Sequence, residues 1–245
     1  MPFEDVLRKA QDGDPDAQVA MGYLFFKGDG VVQDRREAAR WFYLAADQGN
    51  AEAMCNLAHM RAHGEGVRLD LDKSMELYLK AADLGDARAM FNLGYMYTDV
   101  EGLKDYEKGF YWYSRAAEAG NIIALYRMGV MMEEGIGRDI DYRSAMDCYT
   151  KCLEGGFPKA GYRLGKMYME GRGVPQNHDK AAKYMIKAAD LGSEDAMLEL
   201  GRMHLTGQGM NHSVNNAKKW LTKAAIRGSA EAAGLLEKIN SGELK

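Results

Sequence analysis

Residues Ala160–Gly192 read AGYRLGKMYMEGRGVPQNHDKAAKYMIKAADLG, and this stretch decides the fold. Apolar and small residues recur at three- and four-residue spacing before Gly171-Arg172-Gly173 and again after Asn177. Two amphipathic helices therefore flank a loop punctuated by glycine. The unit repeats along the chain. Gly13, Gly49, Gly85, Gly120, Gly156, Gly192 and Gly228 stand at intervals of 36, 36, 35, 36, 36 and 36 residues. Ala17, Ala53, Ala89, Ala124, Ala160, Ala196 and Ala232 each follow four residues later. A fixed period of this length marks stacked helix pairs, none of which buries its apolar face alone.

Counting from each leading Gly as zero, the first helix of a pair, helix A, carries its Ala at +4 and Met21, Leu57, Leu93, Met128, Leu164 and Leu200 at +8. Phe25, Arg61, Tyr97, Met132, Tyr168 and His204 fall at +12, and this stripe of +4, +8 and +12 is read as core. Met60, Met96, Met131, Met167 and Met203 form a row at +11, also read as interior packing. The alanines, with Gly22, Gly94, Gly129, Gly165 and Gly201 at +9, mark close helix contacts, where a larger residue overpacks at a cost of about 1–3 kcal/mol. Ala58 is the exception at +9. Helix A stops at GxG in five units, as at Gly28 and Gly30. The third has Val100 and Gly102 and a loop one residue shorter, which predicts an altered turn.

The second helix, helix B, begins at Asp34, Asp70, Asp105, Asp141, Asn177 and Ser213. All six are strong N-cap types, each contributing about 1 kcal/mol. Trp41, Leu77, Trp112, Cys148, Tyr184 and Trp220 occupy one aligned position and are expected to face small residues such as Ala45-Ala46. Residues 3–12 read as a lone helix B and residues 230–240 as a lone helix A, for fourteen helices in all. The expected division is an N-terminal capping helix (1–15), six repeats (16–49, 50–85, 86–120, 121–156, 157–192 and 193–228), and a C-terminal capping helix and tail (229–245).

With 32 basic and 36 acidic residues the chain has a net charge of −4, which gives no overall attraction to nucleic acid or anionic membrane. The charge is uneven: residues 1–120 carry a net −7 and residues 121–228 a net +4. Met1-Pro2-Phe3-Glu4-Asp5 is no charged lead into an apolar segment, and no run approaches the length of a membrane span, so the expectation is a soluble cytoplasmic protein. The three cysteines, Cys55, Cys148 and Cys152, follow no repeated pattern, which argues against a disulfide framework.

The motif AxxxLGxxYxxGxGVxxDxxxAxxWxxxAAxxG, nearly intact in Ala89–Tyr97 and Ala160–Gly192, resembles the Sel1-like repeats, relatives of the tetratricopeptide repeats. The likeness covers essentially the whole chain. It implies an all-α, right-handed superhelical solenoid whose A helices line a concave face that binds proteins, with no catalytic activity. A cysteine-rich subgroup linked to penicillin binding, and hence a hydrolase reading, is the remotest alternative, because its cysteine pair in every repeat is missing here.

By analogy with related superhelices, positions +3, +6, +7, +10 and +13 should face the groove. Asn56 and Asn92 are predicted to hydrogen-bond a peptide backbone. Arg127, Arg163, Lys166 and Arg202 would pair with acidic side chains or a C-terminal carboxylate. Phe91, Tyr95, Tyr126 and Tyr162 supply apolar contact, and Tyr23 and His59 complete the set. The partner is thus a protein or peptide, held by an adaptor or, in the alternative, by a dedicated inhibitor of the immunity type.

No cofactor is expected. Each GxG follows a helix, whereas a dinucleotide loop follows a strand. His59 and His63 lie one helical turn apart, yet the glutamate of HExxH is missing between them, so no metal is assigned. Cys148 and Cys152 occupy packing positions. GxSxG, SxxK and P-loop motifs are absent from the sequence, and the acidic first half argues against RNA read one base per repeat.

Overall fold

The structure, a computed structural model, describes residues 3–244. Among them are fourteen helices and no strand, an all-α solenoid. After α1 (Phe3–Gln11), the A helices are α2 (Pro15–Lys27), α4 (Ala51–His63), α6 (Ala87–Asp99), α8 (Ile122–Glu134), α10 (Pro158–Glu170) and α12 (Glu194–Thr206). The B helices are α3 (Arg35–Asp47), α5 (Leu71–Asp83), α7 (Tyr106–Glu118), α9 (Tyr142–Glu154), α11 (His178–Asp190) and α13 (Val214–Ile226), followed by α14 (Ala230–Ser241). The chain divides into two compact units, Met1–Ala124 and Leu125–Lys245.

All six predicted B-helix caps form. Asp34 accepts from Arg36 N and Glu37 N, Asp70 from Lys73 N, Asp105 from Lys108 N, Asp141 from Ser144 N, Asn177 from Lys180 N and Ser213 from Asn216 N. Each side-chain oxygen satisfies a first-turn amide that has no partner inside the helix. At the other end of the A helices, Gly28, Gly64, Gly171 and Gly207 take the left-handed C-cap conformation. The third unit departs as its sequence predicts: Val100 ends α6 in an extended conformation, and the positive φ shifts to Gly102.

The second glycine of the loop does more than turn the chain. A Cβ on Gly66 would lie 2.3 Å from the backbone oxygen of Arg35, and one on Gly209 2.2 Å from that of His178. Gly173 lies equally close to Tyr142. Each of these loops presses on the start of the preceding B helix, which only glycine permits.

In the core, +4 and +8 are buried as read, apart from the half-buried Met128. The third row of the stripe is +11 rather than +12. Met60, Met96, Met131, Met167 and Met203 are buried, whereas Phe25, Arg61, Tyr97, Met132 and Tyr168 are half-buried and only His204 is enclosed. At about 100° per residue, +4, +8 and +11 fall within one narrow arc and +12 lies at its edge. There it meets helix B, as where the Tyr168 ring stacks on Tyr184 at 5.5 Å.

Helix B is also shifted by one residue from the expected row. Trp41 and Leu77 are buried, but Trp112, Cys148, Tyr184 and Trp220 are half-exposed. The fully enclosed residues are the next ones along: Phe42, Tyr78, Tyr113, Tyr149, Met185 and Leu221. Five of these sit against the +9 glycines. A Cβ on Gly22, Gly94, Gly129, Gly165 or Gly201 would fall 2.5–2.7 Å from Phe42, Tyr113, Tyr149, Met185 or Leu221 respectively. The small residue on helix A is the notch that admits the large one on helix B.

Candidate functional site

The buried alanines and leucines of each A helix fix the opposite face, on which +3, +7 and +10 of neighbouring repeats meet. In Met1–Ala124 they form a polar chain. The Tyr23 hydroxyl lies 2.7 Å from Glu52 Oε1 and accepts from Asn56 Nδ2 at 2.9 Å and from Arg88 at 3.1 Å. Arg88 also reaches Glu52 and Asp86, both at 3.5 Å. Burial opposes the Arg88 charge, but hydrogen bonding to Tyr23 and nearby acidic groups outweigh it and hold the guanidinium above its ordinary pKa.

Asn92 hydrogen-bonds the buried Tyr78 hydroxyl, and Phe91 packs at 5.6 Å on Tyr113. Tyr95 stands 43% exposed. His59 stacks on His63 at 4.2 Å, and its Nδ1 is 3.8 Å from Glu65. Burial and then the neighbouring imidazole depress the His59 pKa. No group of three or more His, Cys, Asp or Glu among the described residues is arranged for a metal ion.

In Leu125–Lys245 the same face is organised by a carboxylate. The Glu133 side chain is 1% exposed and accepts from the Tyr149 hydroxyl at 2.7 Å, from Arg163 at 3.2 Å and from Arg172 at 3.3 Å. Arg163 also bonds Glu134 at 2.9 Å and the hydroxyl of Tyr126. Tyr126 packs at 5.6 Å on Tyr149 and 5.1 Å on Phe157. Lys166 pairs with Glu170 at 2.7 Å, and Arg202 pairs with Glu199 and Glu231. Tyr162 is half-buried beside Lys166 and Arg202, its phenol raised chiefly by burial.

Three of the four cations expected to receive a partner's carboxylate are thus engaged within the chain. The exception is Arg127, half-buried and without a hydrogen bond or ion pair among the described residues. Sequence reading did not single out Glu52, Arg88, Glu133 or Arg172. Glu52 and Arg88 carry opposite charges at the same +3 position of consecutive repeats, a signal that was present; nothing marked Glu133 as buried.

The thiols are withdrawn. Burial pushes both Cys55 and Cys152 up to about 12 and raises Cys148, which lowers the reactive thiolate fraction of each. Cys55, at an expected groove position, is instead buried.

Paired helices stacked in register define the class as an α-solenoid of short helical repeats. The Sel1 repeat matches at residues 15–50, 51–86, 87–121, 122–157, 158–193 and 194–229, and the chain belongs to that family. Its members generally mediate protein–protein interaction. A Sel1 repeat protein of Oxalobacter formigenes is 30% identical over 92% of this chain and 99% of its own, with a TM-score of 0.80. Two immunity proteins of Pseudomonas aeruginosa share the fold. One is 21% identical over 86% of this chain and 81% of its own; the other is 20% identical over 93% and 82%; both have a TM-score of 0.53. No curated protein matches the chain significantly. No helix among the described residues is long and apolar enough to cross a membrane.

Proposed function

We propose that the chain is a non-enzymatic scaffold that holds a protein or peptide partner against the A-helix faces of its units. One observation carries this reading: beneath the face the +4, +8 and +11 residues barely change, while on it +7 takes four residue types and +10 five across the six repeats. A packing role would hold them similar. Of the four cations predicted for the groove, Arg127 is the one left to receive a carboxylate, either an acidic side chain or a chain terminus. Arg163, Lys166 and Arg202 act as positioning residues that fix the surface around it. Within Met1–Ala124, exposed Tyr95 and the Tyr23, Asn56 and Arg88 group supply hot-spot residue types.

The test is capture from native lysate by wild type, Arg127→Glu and Tyr95→Ala, with bound proteins identified by mass spectrometry. Loss of a partner by either variant, with thermal unfolding unchanged, supports the reading and places the contact in that unit. Retention of every wild-type partner by both variants overturns it. Arg163→Glu is unsuitable, since it sets a second carboxylate against Glu133. The off-rate of the captured partner separates an exchanging adaptor from a dedicated inhibitor.

A further inference from the structure

The unpaired positive charge of Leu125–Lys245 lies mostly on the B helices of the last two repeats. There the sequence holds one short module twice, 36 residues apart: Lys183-Tyr184-Met185-Ile186-Lys187 on α11 and Lys219-Trp220-Leu221-Thr222-Lys223 on α13. In each, the middle residue is the enclosed core anchor, the two lysines are exposed and the aromatic is half-exposed. None of the four lysines forms an ion pair among the described residues.

The earlier repeats carry no such module. The aligned positions read Arg40-Trp41 with Leu44, Glu76-Leu77 with Lys80, Tyr111-Trp112 with Arg115, and Asp147-Cys148 with Lys151. Where charges do occur there, several are spent internally: Lys80 bonds Glu76 at 2.9 Å, and Arg115 bonds the Tyr111 hydroxyl at 2.9 Å.

Each module borders an open recess. One, of about 510 Å³, is lined by Tyr168, Tyr184, Ile186 and the lysines Lys180, Lys183 and Lys187. The other, of about 520 Å³, is lined by Trp220, Lys218, Lys219 and Lys223 with Asn216 and Thr222. Lys180 lies over the Tyr168 ring at 5.3 Å and Lys223 over Trp220 at 4.2 Å, so apolar walls and ammonium groups share one surface. The two helices are tied at both ends. Gly209 presses on His178 at the start of α11, and Arg227, just beyond α13, donates to the Gly192 oxygen at 3.3 Å.

We propose that this α11–α13 face is a second docking site, which binds an acidic peptide segment whose apolar side chains enter the recesses while its carboxylates meet the lysines. Charge complementarity selects the partner. The recesses favour a peptide over a bilayer, because a side chain enters a hollow that a flat headgroup layer spans. The short track disfavours nucleic acid. Asp147 takes the place of the first lysine in the preceding repeat, which limits the site to two modules and six lysines, the bottom of the roughly 6–10 phosphate contacts that strong electrostatic binding engages.

The test is fluorescence anisotropy at low salt with a fluorescein-labelled synthetic peptide in which Phe and Leu are each flanked by glutamates. Oligoglutamate of equal charge is the comparison. The variants are Lys183→Glu with Lys187→Glu, Lys219→Glu with Lys223→Glu, Tyr184→Ser, and Arg127→Glu, each checked for helicity and thermal unfolding. The proposal expects the peptide to bind wild type, each double lysine reversal to weaken it at least tenfold, and Tyr184→Ser to remove its advantage over oligoglutamate. Arg127→Glu should leave this binding unchanged, which separates it from the A-helix reading.

No binding, equal binding of oligoglutamate, or insensitivity to both lysine reversals overturns the proposal. Tighter binding to phosphatidylserine vesicles or single-stranded DNA does the same.

Discussion

Tyr113 in Met1–Ala124 and Tyr149 in Leu125–Lys245 occupy the same place in consecutive repeats, each enclosed against a +9 glycine, yet their hydroxyls end differently. Tyr113 lies 3.1 Å from the Thr98 hydroxyl, whose acceptors on the same helix are Asp99 Oδ2 at 2.5 Å and Gly94 O at 3.0 Å. Tyr149 donates to Glu133, the residue aligned with Thr98. Thr98 is neutral and keeps its own hydrogen bonds on α6, to Gly94 and Asp99. A buried carboxylate needs cations, because an unpaired ion in the interior is far more costly than an unpaired hydroxyl. It therefore draws in Arg163 of the next A helix and Arg172 of the loop beyond. A carboxylate at this register position thus ties one repeat to the next, and withdraws from the surface an arginine that otherwise looks available to a partner.

The largest effect that can break this comparison is expected at Glu133. Glu133→Ala leaves Arg163 and Tyr149 without their shared acceptor and should cost about 3 kcal/mol in urea unfolding. That is the low end for a buried pair, because Arg172 is 47% exposed. A loss as small as a surface pair's would show that the two tyrosine sites are equivalent after all.

Next come the notches. Gly94→Ala and Gly129→Ala each set a Cβ against a tyrosine ring and should each destabilise by about 1–3 kcal/mol. Gly234→Ala in α14, where the added methyl meets nothing within 4 Å, should stabilise by about 0.5–1 kcal/mol. Similar losses at Gly94 and Gly129, one in each unit, would show that the core is common to both and that only the polar layer differs. Thr98→Val, which removes one neutral hydroxyl, should cost about 1 kcal/mol, well below Glu133→Ala.

The smallest effect is expected at Glu76, whose carboxyl is held down to about 2 by hydrogen bonds from Lys73 and Lys80. A depressed carboxyl stabilises the fold above its ordinary value of 4.5 and loses that contribution as pH falls through about 2. The pair is fully solvated, so Glu76→Gln should leave the unfolding midpoint at pH 7 unchanged within error.

The helices, their caps and the altered third loop were legible in the sequence because each is set by neighbours a few residues apart. Asp34, Asp70 and Val100 act through their own backbone surroundings. The core was legible to within one residue. Trp41 and Phe42 are both large and adjacent, and only the glycine on the facing helix decides which is enclosed. Had Gly22, Gly94, Gly129, Gly165 and Gly201 been matched to partners on helix B, the row Phe42, Tyr113, Tyr149, Met185 and Leu221 would have emerged. The state of the groove cations was not legible. Arg163 and Glu133 are 30 residues apart, and their meeting depends on how one repeat seats on the next.

The second loop glycine gives the stacking inside each unit a direction. Gly66, Gly173 and Gly209 each rest on the B helix of the repeat behind them, toward the N-terminus, while Gly30, which has only the short α1 in that place, and Gly102, in the altered third loop, rest on nothing within 4 Å. Within each unit, the repeats joined in this way are laid like roof tiles, each overlapping the one before. Lifting the last tile uncovers a finished surface, whereas removing an earlier one takes the seat from under its successor. Within Leu125–Lys245, fraying that begins at the C-terminus should stop at a repeat boundary, and loss of the α9 or α11 seat should travel to the repeat that rests on it; hydrogen exchange followed repeat by repeat would record that difference.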